Sequence, residues 1–144
     1  MVIGKKKKHS PIVEAINSAE SKTSGEIRVH LSKRWFEKNP LERSKALFEK
    51  FEMYQTSHRN AVLLYINLRK RKIAIYGDSG IHEKVGQNFW IEIISKLKTD
   101  LQSTHYENAI ASCVKRMGEV LEKFFPLDPN LPKSNELPNE CTED

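Results

Sequence analysis

The stretch Arg59 to Gly86, RNAVLLYINLRKRKIAIYGDSGIHEKVG, decides the fold. Ala61 to Leu68 is an almost unbroken apolar run, as expected of a strand covered on both faces by helices. Lys72 to Tyr76 is a shorter partner, and the Arg69 to Lys72 turn between them makes the pair antiparallel. Gly77 and Gly80 punctuate the exit. Asp78, Ser79, His82 and Glu83 gather between and after those glycines, a density of ionisable and hydrogen-bonding groups that a plain connection does not require. A functional surface is expected at these strand ends, beside the loop Gly77 to Glu83, with Asn60 or Glu26 close by. Gly77 and Gly80 are expected to matter through backbone freedom, should either need positive φ.

Working outward, Ser10 followed by Pro11 is a helix start, with a hydroxyl able to cap and a proline at the first helical position. Ile12, Val13, Ile16 and Ala19 continue one apolar stripe until Thr23, Ser24 and Gly25 break it. In Glu26 to Leu31 the apolar Ile27, Val29 and Leu31 alternate with Arg28 and His30, which is a strand pattern. Asn39 and Pro40 read as the cap and first residue of a second helix carrying Leu47, Phe48, Phe51 and Tyr54. Strand, helix and strand in succession imply a parallel pair, to which the hairpin adds an antiparallel strand. Phe89 to Leu101 and Tyr106 to Phe124 then repeat apolar residues at helical spacing. The fold class is therefore α/β, a small mixed sheet with a β-α-β-β core packed between helices.

A chain of 144 residues suits one domain, expected over residues 10–125. A basic flexible arm, residues 1–9, precedes it, and a disordered acidic tail with four prolines, residues 126–144, follows. Neither terminal segment has an apolar pattern that the core would miss. Lys5 to Lys8 contributes +4 and the tail −4, so the net charge of +5 belongs to the domain. No window approaches the roughly 18 to 20 apolar residues of a membrane-spanning helix, and no signal-peptide stretch opens the chain, so a cytoplasmic location is expected. Cys113 and Cys141 are expected to be free thiols.

Asp78 and Glu83 carboxylates with the Ser79 hydroxyl are oxygen ligands of the kind Ca²⁺ or Mg²⁺ prefers, and Glu26 or Asn60 could complete a shell. The alternative is that Asp78 makes a turn or caps a helix while Glu83 is solvated. Phosphoryl chemistry would need a nucleophile or metal ligand and positive charge, for which Asp78, Glu83, His82, Arg28 and Arg59 are the candidates. None of the five histidines lies in an HExxH arrangement, and no glycine-rich phosphate loop occurs, so neither a zinc protease nor an organic cofactor is indicated. The basic runs Lys5 to Lys8 and Arg69 to Lys72 lack interleaved aromatics or a reading helix, so no specific nucleic-acid binding is expected. Such runs do attract anionic surfaces in a salt-dependent way.

SGEIRV at Ser24 to Val29, RNAVLLYINL at Arg59 to Leu68 and IYGDSGIHEKVG at Ile75 to Gly86 resemble the TPM domain family, short bacterial type, over most of Ile12 to Phe125. The resemblance implies helices packed on a mixed sheet and, in some relatives, calcium binding, phosphatase activity or a role in membrane-complex maintenance. Many relatives carry an acidic residue immediately before the strand that starts here after His58, Arg59 and Asn60. Its loss argues against strong metal binding and efficient hydrolysis. The resulting expectation is a binding or assembly module, weakly binding a divalent cation, for a protein partner or membrane-associated complex. A metal-dependent acid phosphatase and a peripheral adaptor at anionic membranes are the alternatives.

Overall fold

The computed structural model describes residues 9–37, 39–130 and 141–144. Among them run α1 (Ser10–Glu20), β1 (Glu26–Ser32), α2 (Pro40–Lys50), β2 (Ala61–Asn67), β3 (Lys72–Gly77), α3 (Ser79–Ser103), α4 (Tyr106–Phe124) and β4 (Cys141–Glu143). The sheet order is β3-β2-β1-β4, with β1 parallel to both β2 and β4 and β2 antiparallel to β3. This is the mixed α/β sheet that the sequence implies, extended by one strand.

Period-two alternation assigns each strand residue to one of two cores. Ile27, Val29 and Leu31 of β1, with Val62, Leu64 and Ile66 of β2, pack against α1, α3 and α4. Ala61, Leu63 and Tyr65 of β2 face α2 through Leu47 and Phe48. Because both faces are covered, every residue of β1 and β2 is buried, including Arg28 and His30. Arg28 is accommodated by placing its guanidinium 4.4 Å from the centre of the Phe51 ring. Asn39 caps α2 as its sequence predicts, accepting from the Leu41 amide at 2.9 Å. Tyr54, expected on the core face of α2, lies beyond the helix and is exposed.

Three expectations need correction. His9 rather than Ser10 occupies the N-cap position of α1, with no side-chain cap, and Ser10 is already helical, its hydroxyl turned to Glu14. Gly77 to Glu83 is not a loop: Gly77 ends β3, Asp78 is the cap of α3, and Ser79 onward is helix. The glycine pair there suggested a break, but both residues serve close packing. A Cβ on Gly77 would lie 2.5 Å from Cζ2 of Trp90, and one on Gly80 would collide with the His58 carbonyl and come within 2.7 Å of that of Arg59. The positive φ sits at Gly86 instead, at 75°. Finally, the chain after Pro126 does not end as an acidic tail without structure, since Cys141–Glu143 pairs with β1; Lys5 to Lys8 and residues 131–140 lie outside the described residues.

Candidate functional site

The sheet brings Glu26, Asn60 and Asp78 to one end. Glu26 pairs with Ala61 in register, and the Asp78 amide donates to the Ala61 carbonyl at 2.9 Å. That end is formed by the amino termini of the parallel strands, because β3 runs antiparallel and its exit returns to where β2 begins. Ligand crevices of open α/β sheets form at the carboxyl ends, so the polar groups after Tyr76 are at the opposite edge from the expected cleft. They also diverge. Asp78 follows the α2-facing positions of Ala74 and Tyr76, whereas Asn60 lies on the parity of Val62 and its Nδ2 donates to Ser24 Oγ at 3.2 Å. Glu83 is exposed on α3, and Arg28 is buried two residues into β1.

Asp78 itself is fully engaged. Arg59 donates from Nε at 2.6 Å and from its terminal nitrogen at 2.8 Å, one to each carboxylate oxygen, and the Ser79 amide caps onto Oδ1 at 2.8 Å. Hydrogen bonding to Asp78, then its charge, raises the Arg59 guanidinium above its ordinary value. Among the described residues no three His, Cys, Asp or Glu side chains converge to hold a metal ion. His82, another candidate, accepts at Nδ1 a hydrogen bond from Trp90 Nε1 at 3.0 Å and so braces the start of α3.

The carboxyl ends of β1 and β2 present different chemistry. Here the β1–α2 connection meets the β2–β3 turn: Arg69 Nε donates to the Lys33 carbonyl at 2.7 Å and Asn67 Nδ2 to that of Arg34 at 3.0 Å. Asn67 Oδ1 also accepts from the Arg69 and Lys70 amides, which closes the turn from inside. On this scaffold Trp35 is 60% exposed and Phe36 94% exposed, with the Arg69 guanidinium 4.0 Å from the Trp35 ring centre. Lys33, Arg34, Lys70 and Arg71 are exposed around them. The sequence reading noted the basic turn but missed the aromatic pair. Its signal was two adjacent aromatics, Trp35 and Phe36, lying between elements and outside any core periodicity.

Comparison with known proteins agrees with this architecture. The sequence profile of the TPM domain matches residues 5–120. The chain is similar to the NMR structure of BA42 protein from the psychrophilic bacterium Bizionia argentinensis, with 30% identity and a TM-score of 0.86, over 99% of this chain and 97% of that one. No curated protein matches. A profile match over most of the domain, joined to a like fold along nearly the full chain, means that this protein belongs to the TPM domain family.

Proposed function

We propose that the domain is a binding module that docks on anionic membrane surfaces through Trp35, Phe36 and the basic β2–β3 turn. The observation that carries this reading is the solvent exposure of Phe36 (94%) and Trp35 (60%) on a loop tied to Arg69. Large aromatics are normally buried, and a protruding pair ringed by cations matches the headgroup region, where one part of the surface is apolar and the other charged. Juxtamembrane Lys and Arg contribute about 1 kcal/mol each near an anionic leaflet, so Lys33, Arg34, Lys70 and Arg71 supply attraction while Phe36 supplies insertion. The hydrogen bonds across the two loops mean that little ordering is left to occur on docking. Arg69 already covers one face of Trp35, which favours edge insertion into an interface over base stacking.

No helix among the described residues is long and apolar enough to cross a membrane, so on this reading attachment is peripheral. Calcium or magnesium binding at Asp78 and Glu83, and a metal-dependent phosphatase built on them, lack comparable support because Arg59 occupies both Asp78 oxygens. The test is cosedimentation with vesicles containing phosphatidylglycerol against vesicles of phosphatidylcholine alone. Binding should be confined to the anionic vesicles, weaken as salt is raised, and fall several-fold in Phe36→Ala. Trp90 is buried, so a blue shift of tryptophan emission on binding should vanish in Trp35→Phe. Equal recovery with both vesicle types, or undiminished binding by a Trp35→Ala/Phe36→Ala variant, rejects this contact surface.

A further inference from the structure

The β1 edge carries a second binding feature, independent of the membrane reading. Without β4 it would be an open strand edge. Cys141, Thr142 and Glu143 cover it in parallel register opposite Val29, His30 and Leu31, and the main chain continues the pairing through Asp144 N to the Leu31 carbonyl at 3.0 Å and Lys33 N to the Asp144 carbonyl at 3.2 Å.

Three paired residues give little by themselves, so side chains must hold the segment. Thr142 Oγ1 lies 2.7 Å from His30 Nδ1, and Asp144 Oδ1 lies 3.2 Å from His30 Nε2. Arg43 of α2 pairs with Asp144 Oδ2. One tautomer of His30, protonated on Nε2, can accept from the hydroxyl at Nδ1 while the carboxylate lies at ion-pair distance from Nε2 without an aligned hydrogen bond. The imidazole is 3% exposed and fixed by stacking on Tyr65, ring centres 5.9 Å apart at 10°. Burial alone would raise the Asp144 carboxyl, but Ser32, His30 and Arg43 outweigh it and hold the group below its ordinary range.

All of these recognition groups belong to β1 and α2, and they recognise a hydroxyl and a carboxylate two residues apart on one face of an extended segment. That division is how strand-addition sites work: main-chain pairing gives affinity and alternate side chains give specificity. We propose that the β1 edge with His30, Ser32 and Arg43 is an acceptor site for extended acidic segments of partner proteins, with the pattern Thr-x-Asp, and that Cys141–Asp144 is its resident occupant. A tethered occupant acts at an effective concentration of about millimolar, so a partner segment gains access when the chain's own anchors are weakened or outcompeted.

The test is fluorescence anisotropy of a labelled peptide with the sequence of residues 139–144, titrated under reducing conditions with full-length protein. A Thr142→Ala/Asp144→Ala chain, whose own segment has lost its side-chain contacts to His30 and Arg43 but keeps Glu143 on His9, should bind the peptide at least tenfold more tightly than the intact chain. Adding Arg43→Ala should remove at least tenfold of that binding, as should Asn in place of the peptide's last Asp. Equal binding to the intact and doubly substituted chains, each melting cooperatively, overturns the proposal, as does equal binding of a peptide with Thr and Asp exchanged. In the intact chain the Lys33 amide, bonded to Asp144, should exchange hydrogen at least tenfold faster than the Leu64 amide of β2. Matched exchange rates would mean that the segment leaves only with global unfolding, and the site would then be structural.

Discussion

Asp78 combines two tasks in one carboxylate, capping α3 through the Ser79 amide and pairing with Arg59. The cap is a short-range hydrogen bond that an amide oxygen can also accept, while Arg59 is half in solvent and its ion pair is screened. Asp78→Asn should therefore stay close to the parent in urea unfolding, and Asp78→Ala should lose ~1 kcal/mol, the usual effect of removing a cap. Equal losses in both would show that charge rather than capping sets the start of α3. His30 makes a pH prediction. Burial, partly offset by Asp144, lowers its pKa from 6.5. Between 6.5 and the lowered folded value the unfolded chain binds the additional proton, so stability falls as pH drops below 6.5 and levels off beneath the folded value. Urea midpoints at about pH 7 and about pH 5 should show the decline, and His30→Gln should flatten it. Asp144 acts in a separate, more acidic window, since its depressed pKa makes its contribution present above 3.8 and lost as pH falls through the folded value.

Close approach of α3 to the hairpin depends on what its glycines lack. Gly80 permits contact with the His58 and Arg59 carbonyls, and its amide donates to the latter at 2.8 Å. Backbone cannot yield as a side-chain tip does, so Gly80→Ala should cost about 1 to 3 kcal/mol, the range for overpacking. Trp90, packed over Gly77 and 4% exposed, should cost ~3 to 5 kcal/mol as Ala. An unchanged melting temperature in either variant would show that this junction is not tightly packed. The same elements show what was legible in the sequence. The apolar run of β2, the Asn39 cap and the stripe of α4 announce themselves locally, because burial periodicity and capping are written within a few neighbours. The start of α3 was not, since whether Gly77 and Gly80 bend the chain or admit a neighbour depends on Trp90 and His58, which come from elsewhere in the chain. Nor could sequence say that the exit of β3 lies at the amino ends of the parallel strands without following the sheet's direction. Of the candidate shell of Asp78, Glu83, Asn60 and Glu26, three members lie at one end of the sheet, but strand parity turns Asn60 to the face opposite Glu26 and Asp78, and Glu83 is exposed on α3.

At the scale of the whole molecule, the sheet has two edges and treats them differently. On the outer side of β3 the turn bears Lys70 and Arg71, charges of the kind that discourage strand pairing. On the other side β1 is buried along its whole length and covered by β4, three residues long, which reaches it from beyond α4. Two contacts already tie the end of α4 back to the domain, Thr23 Oγ1 and the Ser24 amide both donating to the Phe125 carbonyl. Removing residues 141–144 should therefore leave α1, α3 and α4 packed and the domain cooperative, while exposing the unpaired backbone of Val29 to Leu31 and depriving Arg43 and His30 of Asp144. Unpaired edge groups can be satisfied by a second chain as well as by water, and the apolar surface uncovered beneath Cys141 adds to that attraction. The truncated chain should thus unfold at lower urea and show more concentration-dependent association than the intact chain by light scattering coupled to size exclusion. A truncated chain as stable and no more associated than its parent would mean that β4 covers an edge that needs no cover, and that residues 141–144 are dispensable.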